Sequence, residues 1–303
     1  MLAVVLSYGL NGIDGYPVRV EVNLSGGLSQ FELVGLPDAA VKESRERVRT
    51  ALKNSGFAYP DGRVTINLAP ADQKKEGPAY DLPLAVGILA ANGKLNPDAL
   101  EKTAMLGELS LDGSVCPVRG VLPMVISALE GGRVENILIP AANSGEVNCI
   151  SGINIYPVSS LKQAYAHLTG EKPVERLETV AYQDLMRKHE PTVDFRYVKG
   201  QKSAKRALEI AAAGGHNVIM IGPPGSGKTL LARCMPTILP DMTFEEALET
   251  TRIHSAAGVM NNSTLLVERP FRTPHHTASS VSLIGGGVHA SPGEISKAHN
   301  GVL

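Results

Sequence analysis

The sequence contains Gly222-Pro223-Pro224-Gly225-Ser226-Gly227-Lys228-Thr229, which fits G-x-x-x-x-G-K-[ST], the pattern of a phosphate-binding P-loop. Glycines let the backbone of such a loop curl so that successive N–H groups point at phosphate oxygens. Lys228 would place a positive charge at the β- and γ-phosphates, and the hydroxyl of Thr229 would bind Mg²⁺. We therefore predict that these eight residues bind a nucleotide, with Thr229 on its magnesium ion.

The residues on either side of the loop favour this interpretation. Asn217 to Ile221 is an apolar run that predicts a buried strand, and Lys228 to Met235 predicts a helix. The positive end of that helix would face the phosphate. The alternative is a Gly/Pro-rich surface turn with a chance Lys-Thr, which would not require strand, loop and helix to follow in this order.

Length and charge bound the remaining possibilities. The chain has 303 residues, 43% of them hydrophobic, which is typical of about two globular domains. Residues 1–170 carry 14 Lys and Arg against 17 Asp and Glu, whereas residues 196–303 carry 11 against 7. The positive excess around the loop favours an anionic ligand, and nucleotide alone would account for it.

Cysteine usage and hydropathy indicate the compartment. Cys116, Cys149 and Cys234 are far apart and show no C-x-x-C spacing, so reduced thiols are expected. No apolar run approaches the roughly 18 residues of a membrane span, and the N-terminus lacks a basic segment. We predict a soluble protein of the cytoplasm.

The order of predicted elements divides the chain into three parts. Strands and helices alternate over residues 1–170, which predicts one α/β domain. Residues 171–195 are crowded with charges and bracketed by Pro173 and Pro191, which indicates a linker. Residues 196–303 form the second module, in which a helix from Lys202 should end at Gly214-Gly215.

A helix predicted from Asp38 to Leu52 carries several basic side chains. Asp38 is the expected N-cap, and Arg45, Arg47, Arg49 and Lys53 alternate with Glu43 and Glu46. Mixed charge of this kind is typical of a solvated helix face, which we favour over a binding surface.

Longer strings in the second module carry a family resemblance. They are Tyr197-Val198-Lys199-Gly200-Gln201, Ile253-His254-Ser255-Ala256-Ala257-Gly258, Arg269-Pro270-Phe271-Arg272-Thr273-Pro274-His275-His276-Thr277, Gly285-Gly286-Gly287 and Pro292-Gly293-Glu294-Ile295-Ser296. With the P-loop, they resemble the magnesium-chelatase-like AAA+ ATPases of the YifB/ComM group. The resemblance covers essentially the whole chain.

The resemblance implies a fold, cofactors and partners. It implies a P-loop AAA+ α/β module that binds ATP with Mg²⁺ and assembles into a homo-oligomeric ring, expected to be a hexamer. In this group the Gly285–Pro292 region is a hairpin inserted into a helix, which projects towards the pore of the ring. ComM members are linked to natural transformation as helicase-like motors that drive branch migration, so DNA is the implied partner.

His275 and His276 leave two interpretations open. Adjacent histidines in a loop can bind a metal ion, but two ligands do not make a site. We favour a structural or subunit-interface role for this pair.

Two strings of the first domain resemble the active-site segments of Lon proteases, which have a ribosomal-S5-like α/β fold and a Ser–Lys dyad. The strings are Lys75-Glu76-Gly77-Pro78-Ala79 and Gly107-Glu108-Leu109-Ser110-Leu111-Asp112-Gly113-Ser114-Val115-Cys116-Pro117-Val118-Arg119-Gly120-Val121-Leu122. The serine of the dyad falls at Ala79 and the lysine at Leu122. Without a hydroxyl and an amine there is neither nucleophile nor base, so we predict an inactive protease-like domain used for assembly or binding.

The resemblance also bears on the last residues. Gly301-Val302-Leu303 corresponds to the start of the strand that ends in the Walker B Asp-Glu pair, so the pair itself is absent and no ATP hydrolysis is expected from residues 1–303. AAA+ sheets have the order 5-1-4-3-2. The strand at 217–221 would therefore lack both neighbours, and we expect it to be poorly protected.

The sequence thus predicts an S5-type, Lon-like domain at 1–170, a linker at 171–195 and a truncated AAA+ module at 196–303. The function that follows is an ATP-driven ring motor on DNA. The alternatives are a magnesium-chelatase ATPase subunit, against which the Lon-like domain argues, a Lon-like peptidase, against which Ala79 and Leu122 argue, and a non-catalytic assembly module.

Overall fold

The structure is a computed structural model that describes residues 1–188, 193–260, 264–286 and 291–303. The chain divides into two compact units, residues 1–179 with 255–264 and residues 180–254 with 265–303. The domain limits expected from the sequence, 1–170 and 196–303 with a linker between them, stay a proposal. The two units are described separately below.

The elements of the described residues are numbered in chain order. The helices are α1 (Ala39–Asn54), α2 (Asp81–Ala91), α3 (Val121–Gly131), α4 (Ser144–Val147), α5 (Leu161–Leu168), α6 (Tyr182–Lys188), α7 (Lys202–Gly214), α8 (Lys228–Cys234), α9 (Phe244–Ala256), α10 (Ser280–Ile284) and α11 (Glu294–Lys297). The strands are β1 (Leu2–Asn11), β2 (Asp14–Ser25), β3 (Gln30–Val34), β4 (Arg63–Ala69), β5 (Thr103–Met105), β6 (Glu108–Leu109), β7 (Val115–Cys116), β8 (Asn136–Pro140), β9 (Asn154–Val158), β10 (Gly285–Gly286) and β11 (Ser291–Pro292). None of these helices is both long and apolar enough to cross a membrane.

The first unit is built on a seven-stranded sheet in the order β3-β4-β2-β1-β5-β8-β9. Only β2 runs antiparallel to its neighbours, β1 and β4, and the other adjacent pairs are parallel. Val18, Val20 and Val22 of β2 are fully buried, while Arg19 between them is exposed and Glu21 is half-buried. This period of two is what a half-buried strand requires. The mostly parallel sheet with its helices confirms the predicted α/β fold.

Helices α1 and α2 cover one face of this sheet and enclose the main core. Asp38 caps α1 as predicted, with its Oδ1 accepting a 2.8 Å hydrogen bond from the N–H of Val41. Every residue of α2 is buried. A Cβ added at Gly87 of α2 would lie 2.7 Å from Cγ2 of Val22, so a glycine is needed for the helix to lie this close to the sheet.

The prediction of a solvated basic face on α1 is wrong for Arg47. Its Nε donates to Oδ2 of Asp81 at 2.6 Å and its Nη2 donates to Oδ1 at 3.1 Å. The side chain of Asp81 is fully buried and that of Arg47 is only 20% exposed. A buried carboxylate at the start of α2 needs a counter-charge, and the helical pattern of α1 does not show that need.

The second unit is mainly helical in its described residues. Its core consists of Phe195, Val198, Leu208, Leu231 and Cys234. Strands β10 and β11 pair antiparallel between α10 and α11, in the region predicted to form an inserted hairpin. Residues 287–290 of that region lie outside the described residues.

The predicted buried strand at 217–221 is wrong. These residues have no regular structure, and Ile219 and Ile221 are 85% and 91% exposed. No strand of the described residues pairs with them, so their N–H and C=O groups join no sheet and their side chains have little to pack on. Phe271 and Val302, in contrast, do form a parallel bridge, with the N–H of Arg272 donating to the carbonyl of Val302 at 2.9 Å.

Candidate nucleotide-binding site

The loop at 222–229 has the backbone that its glycines were expected to provide. Gly225 has φ 79° and Gly227 has φ 84°, a left-handed conformation that side chains with a Cβ adopt only with strain. The N–H of Ser226 donates to the carbonyl of Pro223 at 3.3 Å, which closes a turn inside the loop. Helix α8 begins directly after Gly227. The loop therefore curls back and delivers the chain into a helix.

The ammonium group of Lys228 lies on the loop itself. Its Nζ donates to the carbonyl oxygens of Gly222 and Pro223, each at 2.8 Å, and to Oγ of Ser226 at 3.2 Å. The side chain thus folds back over the curl instead of extending into solvent. A phosphate held by the loop amides would therefore lie next to this positive charge.

Thr229 follows on the open side of the same helix. Leu231 and Cys234 of α8 are buried in the core of the second unit, whereas Thr229 is exposed. Its hydroxyl is therefore accessible to an ion from solvent. Mg²⁺ in nucleotide sites keeps several waters and relies on few protein ligands plus the phosphates. One hydroxyl beside a phosphate loop fits that donor set, and the described residues contain no cluster of three His, Cys, Asp or Glu that would bind the ion alone.

Gln201 contacts the loop, and sequence reasoning assigned it no role. Its Nε2 donates to the carbonyl of Ser226 at 3.2 Å. Gln201 itself has φ 53°, a strained value for a residue with a Cβ, immediately before α7. The sequence pointed to Gln201 only as part of the string Tyr197–Gln201. Nothing in that string indicates that the Gln201 amide contacts Ser226, which lies 25 residues further along the chain.

His275 and His276 stack on each other without forming a recognisable metal site. Their ring centroids are 4.2 Å apart, and both side chains are exposed. Nδ1 of His275 lies 2.7 Å from Oγ1 of Thr277. No third ligand joins them within the described part of the chain. The favoured structural or interface role stays a prediction.

Glu294, the last carboxylate of the sequence, is held in an ion-pair network. Nε and Nη2 of Arg272 donate to its two oxygens at 2.7 and 2.9 Å, and Nζ of Lys297 lies 2.6 Å from Oε1. The hydrogen bonds from Arg272 lower the pKa of Glu294 to about 2. This carboxylate links the segment at 272 to α11, and a carboxylate with so low a pKa is a weak base.

The two dyad positions of the first unit are part of its packed interior. Ala79 lies in a short 3-10 helix, Pro78–Tyr80, and Leu122 is the second residue of α3; both are buried. The carbonyl of Ala79 accepts a 2.9 Å hydrogen bond from the N–H of Gly107, which joins the two Lon-like strings. Neither position offers a hydroxyl or an amine.

Lys75 and Ser110, which lie in the two Lon-like strings, do not replace the missing dyad. Lys75 is fully buried, and its Nζ donates to the carbonyl oxygens of Pro70 and Gln73. Burial lowers the pKa of Lys75. Oγ of Ser110 contacts Sγ of Cys116 at 2.9 Å. These contacts hold loops together and do not bring a nucleophile and a base side by side.

Comparison with known proteins supports this description. A family model described as "Magnesium chelatase, subunit ChlI" matches residues 194–303, and one described as "Subunit ChlI of Mg-chelatase" matches residues 20–143. The uncharacterized protein YifB of Salmonella typhimurium is 44% identical over 302 residues, which is 100% of this chain and 58% of that protein. The competence protein ComM of Haemophilus influenzae is 42% identical over 303 residues, again 100% of the chain and 59% of that protein.

A more distant similarity concerns the proteases. Lon protease 2 of Bacillus subtilis is 29% identical over 186 residues, 56% of this chain and 33% of that protein. The chain spans 58% of the YifB relative and 59% of the ComM relative, which is less than two thirds of either protein.

The matches to the chelatase family models and to the full-length relatives define a protein of the AAA+ ATPase-like class. Within that class, the chain belongs to the magnesium-chelatase-like family of YifB and ComM, as its motifs predicted.

Proposed function

We propose that residues 222–229 bind ATP with Mg²⁺ and that the chain is part of an ATP-driven AAA+ motor. The observation that carries the proposal is the ammonium group of Lys228, held at 2.8 Å from two carbonyls of a loop that two left-handed glycines curl. This loop lies within the 194–303 match to the chelatase family model. In the proposed complex the loop amides and Lys228 hold the phosphates, and Thr229 holds Mg²⁺.

Substitution of the loop lysine tests nucleotide binding. Lys228→Ala should weaken binding of a fluorescent ATP analogue by at least about tenfold, because a charge-assisted contact to phosphate is lost. Thr229→Ala should mainly remove the gain in affinity that Mg²⁺ provides. Lys162→Ala, which removes an exposed lysine of α5, is the matched control and should bind as the parent does. Equal affinity of the Lys228 variant and the parent would exclude this site.

We also propose that binding in residues 1–303 is not followed by hydrolysis. Glu294 is neutralised by Arg272 and Lys297, so this carboxylate is a poor base for polarising a water molecule. No peptidase function is proposed, because Ala79 and Leu122 supply neither a nucleophile nor a base.

DNA is the partner that we propose for the motor, as a hexameric ring in the cytoplasm. The supports are a relative named competence protein and the excess of 11 Lys and Arg over 7 Asp and Glu in residues 196–303. Binding through phosphate contacts releases counterions, so affinity for duplex DNA should fall steeply between about 50 and 200 mM salt. Fluorescence anisotropy with and without ATP measures this. An affinity that does not change with salt would contradict the proposal.

A magnesium-chelatase ATPase subunit is the second candidate. The Lon-like first domain argued against it, but the match of a ChlI family model to residues 20–143 weakens that argument. Magnesium insertion into protoporphyrin in the presence of chelatase partner subunits, together with no DNA binding, would favour this candidate over the DNA motor.

A further inference from the structure

The first unit contains a cavity that has no part in the nucleotide loop. Its volume is about 210 Å³, and it lies beside the N-terminus of α3. The side chains of Arg119, Asn143, Glu146 and Ser255 line it, together with Gly258. Pockets for drug-sized ligands begin at about 300 Å³, so this one is limited to a ligand of a few heavy atoms.

Glu146 presents a buried carboxylate with one oxygen left over. The residue is 2% exposed, and its Oε1 accepts a 2.7 Å hydrogen bond from Nδ2 of Asn143. Asn143 is fixed in turn, because it accepts from the N–H of Val118 at 3.1 Å and donates to its carbonyl at 2.9 Å. Oε2 of Glu146 makes no hydrogen bond of normal geometry to the described residues. Burial raises the pKa of Glu146, and the nearby hydroxyl of Ser255, the amide of Asn143 and the N–H of Leu122 offset part of that rise.

Ser255 adds a second unsatisfied polar atom to the same cavity. It is 2% exposed, and its Oγ also lacks a hydrogen bond of normal geometry to the described residues. Ser255 lies in α9, and its carbonyl accepts a 3.0 Å hydrogen bond from the N–H of Gly120. This bond holds Ser255 next to the start of α3. The hydroxyl of Ser255 lies close enough to Glu146 to lower the pKa of that carboxyl, yet neither atom has a hydrogen bond of normal geometry within the described residues, which is costly unless something occupies the space.

Arg119 provides the opposite charge at the edge of the cavity. Arg119 is exposed, and its guanidinium makes no hydrogen bond or ion pair with the described residues. Its stem lies against Gly258, where an added Cβ would be 3.7 Å from Cβ of Arg119. The cavity therefore combines an acidic, hydrogen-bonding interior with a positive group at its rim.

We infer that this cavity binds a small zwitterion that carries an ammonium and a carboxylate group, of the amino-acid class. The ammonium group donates to Oε2 of Glu146 and Oγ of Ser255, and the carboxylate pairs with Arg119. A simple cation would satisfy Glu146 but would be repelled by the positive charge of Arg119. A simple anion would pair with Arg119 but would be repelled by the carboxylate of Glu146. Water alone would satisfy the buried atoms while solvent hydrates the exposed guanidinium, and in that case none of the zwitterions tested below would bind.

Calorimetric titration of the 303-residue chain with glycine, β-alanine and γ-aminobutyrate tests the inference. At least one of the three should bind at millimolar concentration or tighter. Ethylammonium chloride and sodium acetate, which each carry one of the two charges, should bind at least about tenfold more weakly. The three zwitterions differ in the separation of their charges, so the preferred one measures the distance between the carboxylate and the guanidinium.

Variants assign the binding to this cavity. Arg119→Ala and the isosteric Glu146→Gln should each weaken the best zwitterion by at least about tenfold. Arg133→Ala, which removes another exposed arginine of the same unit, should leave binding unchanged. If Glu146→Gln lowers the melting temperature, Arg119→Ala still decides, because its side chain lies at the surface.

Two results would overturn the inference. One is the absence of binding by all three zwitterions at tens of millimolar to the folded parent. The other is binding that neither variant weakens. Lys228→Ala should not affect the zwitterion, so failure here is distinguishable from failure of the nucleotide site.

Discussion

Replacing Arg47 by alanine is expected to destabilise the first unit by about 3–5 kcal/mol, since it leaves Asp81 as a buried charge without its ion-pair partner. After the substitution, the N–H of Leu109, 3.2 Å from Oδ2, is the donor to that carboxylate that remains among the described residues. The lost guanidinium also donated to the carbonyl of Ala40 and to Oγ of Ser44. Urea unfolding followed by circular dichroism measures the change, because the chain has no Trp to report it by fluorescence.

Arg45→Ala is the matched control for this prediction. Arg45 lies on the same helix, is 48% exposed and, among the described residues, forms an ion pair with the exposed Glu46, so its loss should cost within about 0.5 kcal/mol. Adding Asp81→Asn to the Arg47 variant should recover part of the stability, because it removes the stranded charge. Similar unfolding midpoints for the Arg45 and Arg47 variants would show that the buried pair contributes little.

The sequence predicted those features that depend on neighbouring residues. The cap at Asp38 and the end of α7 at Gly215, with φ 62°, are local patterns, and both are present. The left-handed glycines of the nucleotide loop belong to the same class. Each follows from a steric or hydrogen-bonding preference that acts within a few residues.

Features that depend on distant contacts were missed. The Arg47–Asp81 pair joins residues 34 apart, and the contact of Gln201 with Ser226 joins residues 25 apart. Strands β5 and β6 are separated by Leu106 and Gly107, whose N–H groups donate to the carbonyls of Leu138 and Ala79. No periodicity within one element encodes these pairings.

The run at 217–221 shows the same limit and leads to the second large prediction. Its apolar composition indicates a strand, but a strand exists only when a neighbour completes its hydrogen bonds. In the AAA+ order implied by the resemblance, the neighbours are strands four and five, and the described residues form neither. Val218, Ile219 and Ile221 accordingly stay exposed, although Met220 packs against the core of the second unit.

Amides of Val218 to Ile221 are therefore expected to exchange with solvent at least about a thousandfold faster than those of Val18 to Val22. The latter open only when the sheet of the first unit does, since β2 is paired on both sides. Hydrogen exchange read by mass spectrometry in a dilute, monomeric sample measures both segments at once, with β2 as the internal control. Strong protection at 218–221 in a monomer would mean that this run finds a partner strand, and the loop at 222–229 would then be anchored from both sides. Fast exchange would mean that no paired strand holds the loop on its N-terminal side, and its affinity for ATP should then be lower than when neighbouring strands pair with this run.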